Sequence, residues 1–198
     1  MQIYFTVKES IEKYVELGKN YPFPPPPIRR CHQCNKTVQY KKHGFYKRYL
    51  ITTFFKDKIF IRRYICPLCL HTISYLPNFS LPRFIYAAEH IFTYIYNTFL
   101  RTGTLKSCLD KLNALHKGLN ISRQVIYHYK KRFVKNLKLI QMGLRQINPQ
   151  VKLPDEKFNE SERAKMLLSA IKDTPDQERS FTQKFYQSTN KTYLALCK

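Results

Sequence analysis

Residues 29–69 read RRCHQCNKTVQYKKHGFYKRYLITTFFKDKIFIRRYICPLC, and a Cys-x-x-Cys pattern stands near each end of this stretch. Cys31 and Cys34 form the first pair, Cys66 and Cys69 form the second, and 31 residues lie between the pairs. Each pair can present two sulfur atoms from one tight turn, and four thiolates brought together can close a tetrahedral zinc site. We therefore predict zinc as the cofactor and these four cysteines as its ligands.

The residues between the two pairs have the composition of a β-hairpin. Segments 44–55 and 58–65 are rich in β-branched and aromatic residues, and Lys56 and Asp57 between them fit a turn. Such a hairpin brings Cys66 back to Cys31, which is the plan of a zinc ribbon. A unit of this size needs a metal because its apolar core is too thin to fold alone.

Other interpretations of the cysteines stay open. Paired disulfides are disfavoured because the N-terminus lacks a secretory signal, and a thioredoxin-like redox motif would need one Cys-x-x-Cys at the start of a helix. His32 and His71 lie close to the cysteines in sequence and could replace a thiolate ligand. Cys108 and Cys197 stand alone, and Cys108 falls on the apolar stripe of a predicted helix, which favours a packing role.

The distribution of charge predicts a polyanionic partner. The 198 residues include 35 Lys plus Arg against 13 Asp plus Glu, a formal net charge of +22. Residues 17–154 hold 25 of these cations and only three acids, Asp57, Glu89 and Asp110, whereas the two flanks are balanced. A merely solvated basic surface is the alternative, but such a surface normally mixes both signs. The 43% of hydrophobic residues excludes a wholly disordered basic tail.

After residue 82 the apolar residues recur with a helical period. We predict helices over residues 83–101 and 105–115, and a longer helix that Ser122 caps and that runs to about Gly143. The last two helices and the turn around Gly118 match the helix-turn-helix plan, in which the second helix enters the major groove of DNA. A generic α-hairpin whose lysines are solvated is the alternative.

The predicted DNA contacts form two groups. Base edges are expected to be read from the first two turns of the helix after Ser122, and phosphates to be held by the basic residues that follow and by the hairpin. The helix group is Arg123, Gln124, Tyr127, His128, Lys130, Lys131 and Lys135. The hairpin group is Lys47, Arg48, Arg62 and Arg63. Aromatic residues are interleaved with the hairpin group and could also stack on exposed bases, as in RNA binding.

The order of these features resembles that of proteins from bacterial mobile elements. RRCHQC, RRYICPLC, YLPNFSLPRF and ISRQVIYHYKKRF, within residues 28–135, are similar to the zinc-ribbon and helix-turn-helix modules of insertion-sequence transposases and their small accessory proteins. The resemblance implies binding to element ends or operators, with the four paired cysteines on zinc and the helix after Ser122 reading sequence. A full transposase would also carry a ribonuclease-H-like catalytic domain, for which residues 144–198 are too few.

The sequence thus predicts an α+β fold, in which a small zinc-ribbon β-hairpin unit precedes a mostly helical region with a helix-turn-helix. The expected organisation is an N-terminal helix with a Pro-rich spacer (1–27), the ribbon (28–80), the helix-turn-helix region (81–146) and a mixed-charge helical tail (147–198). The first helix is expected over residues 7–17.

The predicted function is sequence-specific binding of double-stranded DNA without catalysis, by a mobile-element accessory factor or a transcription regulator. The expected location is cytoplasmic, or nucleoid-associated in a bacterium. The alternatives are an adaptor whose tail, residues 155–198, docks on a larger partner enzyme such as a transposase, and an RNA-binding protein. We expect no membrane partner, because the most apolar stretch, residues 84–100, contains Glu89, His90 and Asn97 and is too short for a membrane span.

Overall fold

The computed structural model describes residues 2–174 and 177–196, and it describes side chains for residues 2–174 and 181–196. Within these ranges the fold is α+β, as predicted. The strands are β1 (Gln2–Phe5), β2 (Lys41–Ile51), β3 (Lys56–Ile65) and β4 (Thr72–Pro77). The helices are α1 (Ile11–Leu17), α2 (Ala88–Leu100), α3 (Leu105–Leu115), α4 (Arg123–Lys135), α5 (Leu137–Ile147), α6 (Glu160–Lys172) and α7 (Gln177–Thr189). Cys197 lies outside the described residues.

The predicted hairpin is confirmed, and it forms half of a four-stranded sheet in the order β1-β4-β3-β2. β2 and β3 are antiparallel with Phe45 opposite Arg62, and the register shifts between Lys42 and Gly44. The turn occupies residues 52–55 rather than the predicted Lys56 and Asp57. The Thr52 hydroxyl accepts the backbone N–H of Phe55 at 3.0 Å. This bond places the turn before Lys56, whereas strand propensity alone placed it at Lys56 and Asp57.

The N-terminal segment contains a strand that the sequence did not predict. β1 pairs parallel to β4, with Gln2 opposite Ser74, so its partner lies far away in the chain. The first helix begins at Ile11, because the Ser10 hydroxyl caps it by accepting the Lys13 N–H at 3.2 Å. The helix expected over residues 7–17 is thus present over Ile11–Leu17, and β1 before it joins the sheet.

Two sets of elements cover the two faces of the sheet. On one face, the Tyr14 hydroxyl of α1 donates to the Phe60 carbonyl at 2.6 Å, and the Tyr64 hydroxyl donates to Pro24 at 3.0 Å. On the other face, the rings of Tyr4 in β1 and Tyr186 in α7 lie 5.0 Å apart. The Pro-rich run is thus packed on the sheet, and the helical region packs on the opposite side.

Two predicted helices have different limits in the structure. α2 begins at Ala88 rather than residue 83, because the backbone of Ile51 bonds to the Ile85 carbonyl and the Ala87 N–H. The helix predicted to reach Gly143 stops at Lys135 and resumes at Leu137 as α5. Asn136 stands at this break, and its amide donates to the carbonyls of Arg132 and Ala195. The second bond comes from the far end of the chain, so local periodicity could not predict the break.

The buried side chains form two clusters. The sheet cluster contains residues of β1–β4, α1 and the adjoining segments, including Tyr14, Ile61 and Phe79. The helical cluster contains residues of α2–α7, including Phe133 and Leu168. Within residues 2–174 and 177–196, no helix has both the length and the apolar character needed to cross a bilayer.

Candidate metal centre and nucleic-acid interface

The hairpin brings the four paired cysteines together at one end of the sheet. All four Sγ atoms lie within 4.8 Å of one another. The Cys31 and Cys69 sulfurs are 3.6 Å apart, and the Cys34 and Cys66 sulfurs are 3.9 Å apart. A zinc ion with Zn–S bonds of about 2.3 Å holds its tetrahedral ligands about 3.8 Å apart. The arrangement therefore matches four-sulfur coordination, and these separations are too long for a disulfide bond.

The two cysteine pairs have the same backbone turn. In the first pair, the Asn35 N–H donates to the Cys31 carbonyl at 2.8 Å, and in the second the Leu70 N–H donates to Cys66 at 3.0 Å. Asn35 and Leu70 both have positive φ, 57° and 59°. Asparagine tolerates this left-handed conformation, but for leucine it costs free energy, so the second turn is held by its surroundings.

The ionisation of the thiols favours a cation at this site. The pKa of Cys31 is lowered to about 5, mainly by the hydrogen bond from the Cys34 backbone N–H. A hydrogen bond from the His71 backbone lowers the pKa of Cys69, but burial and the three neighbouring sulfurs together outweigh it and raise this pKa to about 12. Four adjacent thiols cannot all become thiolates unless a positive ion compensates their charge.

Tyr40 provides a second observation that fits a metal. Its hydroxyl is buried and has no partner that satisfies hydrogen-bond geometry among the described residues. It lies beside the Cys31 sulfur, and this proximity contributes to the lowered pKa of that thiol. A metal-bound thiolate at Cys31 would give this hydroxyl an acceptor. The sequence gives no signal for this role, because nothing in the local pattern of Tyr40 separates it from the other tyrosines.

The two histidines near the cysteines contact each other. The rings of His32 and His71 are 4.6 Å apart and nearly perpendicular. Neither belongs to the four-residue cluster of potential ligands. The four sulfurs alone complete a tetrahedral set, so neither histidine is needed as a replacement ligand.

The helix pair predicted as a helix-turn-helix is present as α3 and α4. The hydroxyls of Thr104 and Ser122 cap the two helices, as expected from the sequence. The turn between them is held by Asn113, whose side chain receives hydrogen bonds from the Tyr94 hydroxyl and the Ile121 N–H and donates to the Ile121 carbonyl. These three bonds fix the point at which α4 begins.

The first two turns of α4 present the predicted base-reading residues to solvent. Arg123, Gln124, Tyr127 and His128 are exposed, and Tyr127 is 56% exposed. The opposite face of α4 carries buried apolar residues, among them Phe133. Desolvation, followed by the nearby cations Arg132 and Lys131, lowers the pKa of His128.

Further along α4, the residues predicted to contact phosphates differ in their exposure to solvent. Lys131 and Lys135 are exposed. The Lys130 ammonium instead lies 4.1 Å from the centre of the Phe99 ring and 3.3 Å from the Thr98 carbonyl, and burial lowers its pKa. The structure thus turns Lys130 towards the helical body.

The hairpin cations also serve different purposes. The Arg48 guanidinium is buried and donates to the carbonyls of Leu81 and Phe84, which ties β2 to the segment before α2. Arg63 donates to the Thr72 hydroxyl at 2.8 Å. Lys47 is exposed, and Arg62 lies 4.5 Å above the Phe45 ring. Lys47 and Arg62 therefore lie on the face of the hairpin that carries Phe45 and Phe60, where Arg62 is half-buried, whereas Arg48 bonds to a segment on the other face.

A basic residue absent from the predicted set lies beside α4. Arg83 is exposed with φ 69°, and with Gln124 and His128 it lines a cavity of about 410 Å³. Nothing in its sequence context after Pro82 singled it out, because its proximity to α4 depends on the packing of distant segments.

Comparisons with protein-family models, with curated proteins and with solved structures found no match to this chain. The likeness to insertion-element modules therefore stays a prediction from the sequence.

Proposed function

We propose that this protein is a zinc-stabilised, sequence-specific DNA-binding protein without catalytic activity. The observation that carries the proposal is the exposed start of α4, where Arg123, Gln124 and Tyr127 project from a helix whose other face is buried. Arg and Gln at the start of such a helix suit the acceptors of guanine and the donor-acceptor pair of adenine in the major groove. Exposed cations of α4 and the hairpin would add phosphate contacts.

Zinc is the metal we propose for the four-cysteine cluster. Four thiolates in a tetrahedral set suit zinc, and a site with four protein ligands leaves no open position for a substrate. Cys31, Cys34, Cys66 and Cys69 would hold the ion, which would supply structural closure of the hairpin. The described acids of the basic segment, Asp57, Glu89 and Asp110, lie in β3, α2 and α3, and the proposal gives them no catalytic role.

The biological role we propose is that of a mobile-element accessory factor or a transcription regulator. An adaptor that docks on a larger enzyme through residues 155–198 is the competing function. Against it, the apolar face of α6 and the rings of Phe181 and Phe185 are packed into the helical cluster of this same chain. RNA binding through the basic and aromatic residues of the hairpin is the third possibility, and the experiment below distinguishes it from binding of duplex DNA.

The test is selection of bound duplexes from a random pool, with and without a chelator, followed by affinity measurements on the selected duplex. Arg123→Ala with Gln124→Ala should remove the preference for that duplex while the four-cysteine site keeps its metal. Each substituted bidentate contact is expected to cost about 1–3 kcal/mol of discrimination. Affinity should also fall steeply with salt, with a slope of about −0.9 per phosphate neutralised.

The chain offers a matched control at Arg145 and Gln146. This pair has the same residue types in the same order, and both residues are exposed on α5. Replacing them with alanine should leave the selectivity intact. Failure to select any duplex, or unchanged binding after the α4 substitutions, would favour the adaptor, and a preference for single-stranded RNA over duplexes would favour the third possibility.

A further inference from the structure

The turn at the tip of the hairpin holds an exposed aromatic side chain on a firmly bonded backbone. Phe54 is 49% exposed. The Thr52 hydroxyl accepts the N–H groups of Phe54 at 3.4 Å and Phe55 at 3.0 Å, and the Thr52 N–H donates to the Phe55 carbonyl at 2.8 Å. These bonds fix the backbone of the turn that carries the exposed Phe54 side chain.

The hairpin tip lies against the turn that leads into α4. A Cβ atom placed on Gly118 would lie 3.2 Å from the Thr53 carbonyl oxygen, and Gly118 itself has φ 94°. A residue without a side chain is therefore needed on both counts. On the other side, Ile51 is bonded through its backbone to Ile85 and Ala87. The tip and the start of α4 thus belong to the same end of the molecule.

The charges around Phe54 suit a polyanion. Lys56 and Lys58 follow it in the hairpin, Lys117 stands next to Gly118, and all three are exposed. The one acid among them, Asp57, accepts the Lys58 N–H at 2.7 Å. An apolar side chain flanked by cations is the combination with which DNA-bending proteins enter the minor groove and separate adjacent base pairs.

We propose that the hairpin tip is a second DNA-contacting element, which inserts Phe54 between base pairs in the minor groove beside the major-groove site of α4. This inference rests on the proposed function and deepens it. Lys56, Lys58 and Lys117 contact the phosphates on either side, and Phe54 unstacks one base step and kinks the duplex. The hairpin thereby contributes to specificity, because flexible steps unstack at lower cost than stiff ones.

The test uses the full chain with its metal and the duplex selected above. 2-Aminopurine is placed at one position of the duplex after another, and dyes at the duplex ends report bending by energy transfer. The wild type should raise 2-aminopurine fluorescence at one base step and kink the duplex by about 20–90°. Phe54→Ala should lose both signals but still bind the duplex through α4, and Phe54→Leu should retain part of each because leucine also serves as a wedge.

Phe158→Ala is the matched control. Phe158 is 46% exposed and lies just before α6, outside the hairpin and the helix pair, so its replacement should change neither signal. If the Phe54→Ala variant distorts the duplex as the wild type does, Phe54 is not a wedge. If that variant also has a lower molar mass in solution than the wild type, Phe54 instead contacts a second copy of the chain. If the wild type binds no duplex at all, the proposed function fails, and that outcome is separate because binding is measured in the same samples.

Discussion

The sheet cluster and the helical cluster bury side chains of different kinds. In the sheet cluster, aromatic rings contact one another, and the hydroxyls of Tyr14, Tyr64 and Tyr75 donate to backbone carbonyls of neighbouring segments. Burial raises the pKa of Tyr75 to about 12. The helical cluster relies mainly on leucine and isoleucine, most of them from the five helices α2–α6, together with a smaller number of aromatic rings.

This difference indicates that the two regions are stabilised in different ways. Where a buried tyrosine hydroxyl has an acceptor, losing that acceptor costs free energy, because an unpaired buried hydroxyl is not compensated for its lost contact with water. The sheet cluster therefore depends on long-range contacts and on closure of the hairpin at its cysteine end. Aliphatic helix packing has no such requirement and depends on shape and volume instead. The predictions below separate these two dependences.

The largest expected effect comes from removing one sulfur. Cys66→Ser should release the metal, because structural zinc sites bind with free energies on the order of 10 kcal/mol that depend on every ligand. The sheet amides should lose their dispersion in a nuclear magnetic resonance spectrum, while far-ultraviolet circular dichroism retains most of its helical signal. Cys108→Ser is the control, since Cys108 is outside the cluster. Loss of both the sheet dispersion and the helical signal in Cys66→Ser would contradict the view that only the sheet region depends on the metal.

The second prediction concerns shape in the helical cluster. A Cβ atom on Gly143 of α5 would lie 2.3 Å from the ring of Phe185 in α7. Gly143→Ala should therefore force the two helices apart and lower the free energy of unfolding by about 3 kcal/mol, at the upper end of the usual range for overpacking. Urea unfolding measures this change.

Gly103→Ala is the matched control for that substitution. Among the described residues other than its two chain neighbours, no atom lies within 4 Å of a Cβ built on Gly103, so Gly103→Ala should hardly change the stability of the protein. The Gly143 variant should still bind its metal. Equal free energies of unfolding for the two glycine variants would show that α5 and α7 pack less tightly than the approach of Gly143 to Phe185 indicates.

The third prediction concerns the start of α4. Asn113→Ala removes the amide that bonds to the Tyr94 hydroxyl and the Ile121 backbone, and it leaves these polar groups without their partner. The expected loss of stability is about 2 kcal/mol. Hydrogen exchange at Ile121 should rise before global unfolding does. Unchanged exchange there would mean that the turn does not need this side chain.

The smallest expected effect belongs to Tyr40. Tyr40→Phe removes only a hydroxyl, so the sheet should stay folded with its metal bound. Metal affinity, measured by competition with a chromogenic chelator, should fall by about tenfold, the lower end of the effect of groups that bond to metal ligands. Tyr49→Phe is the control, because Tyr49 lies on β2 and is 38% exposed. A loss of affinity in both variants would indicate a general effect on the hairpin.

The features that the sequence predicted are those with a local signal. Cysteine spacing predicted the cluster, alternating β-formers predicted the hairpin, and Ser122 predicted the start of α4 within one residue. The missed features depend on contacts between distant segments. β1 needs β4 as a partner, and the interior position of Arg48 depends on the carbonyls of another segment.

The parallel pairing of β1 with β4 has a consequence for biosynthesis. Gln2 pairs with Ser74, so the ribosome adds about seventy residues after β1 before its partner strand exists. At about 5–20 residues per second, this interval lasts between about 4 and 14 seconds. During that time the apolar side chains of Ile3, Tyr4 and Phe5 have no β4 to pack beside.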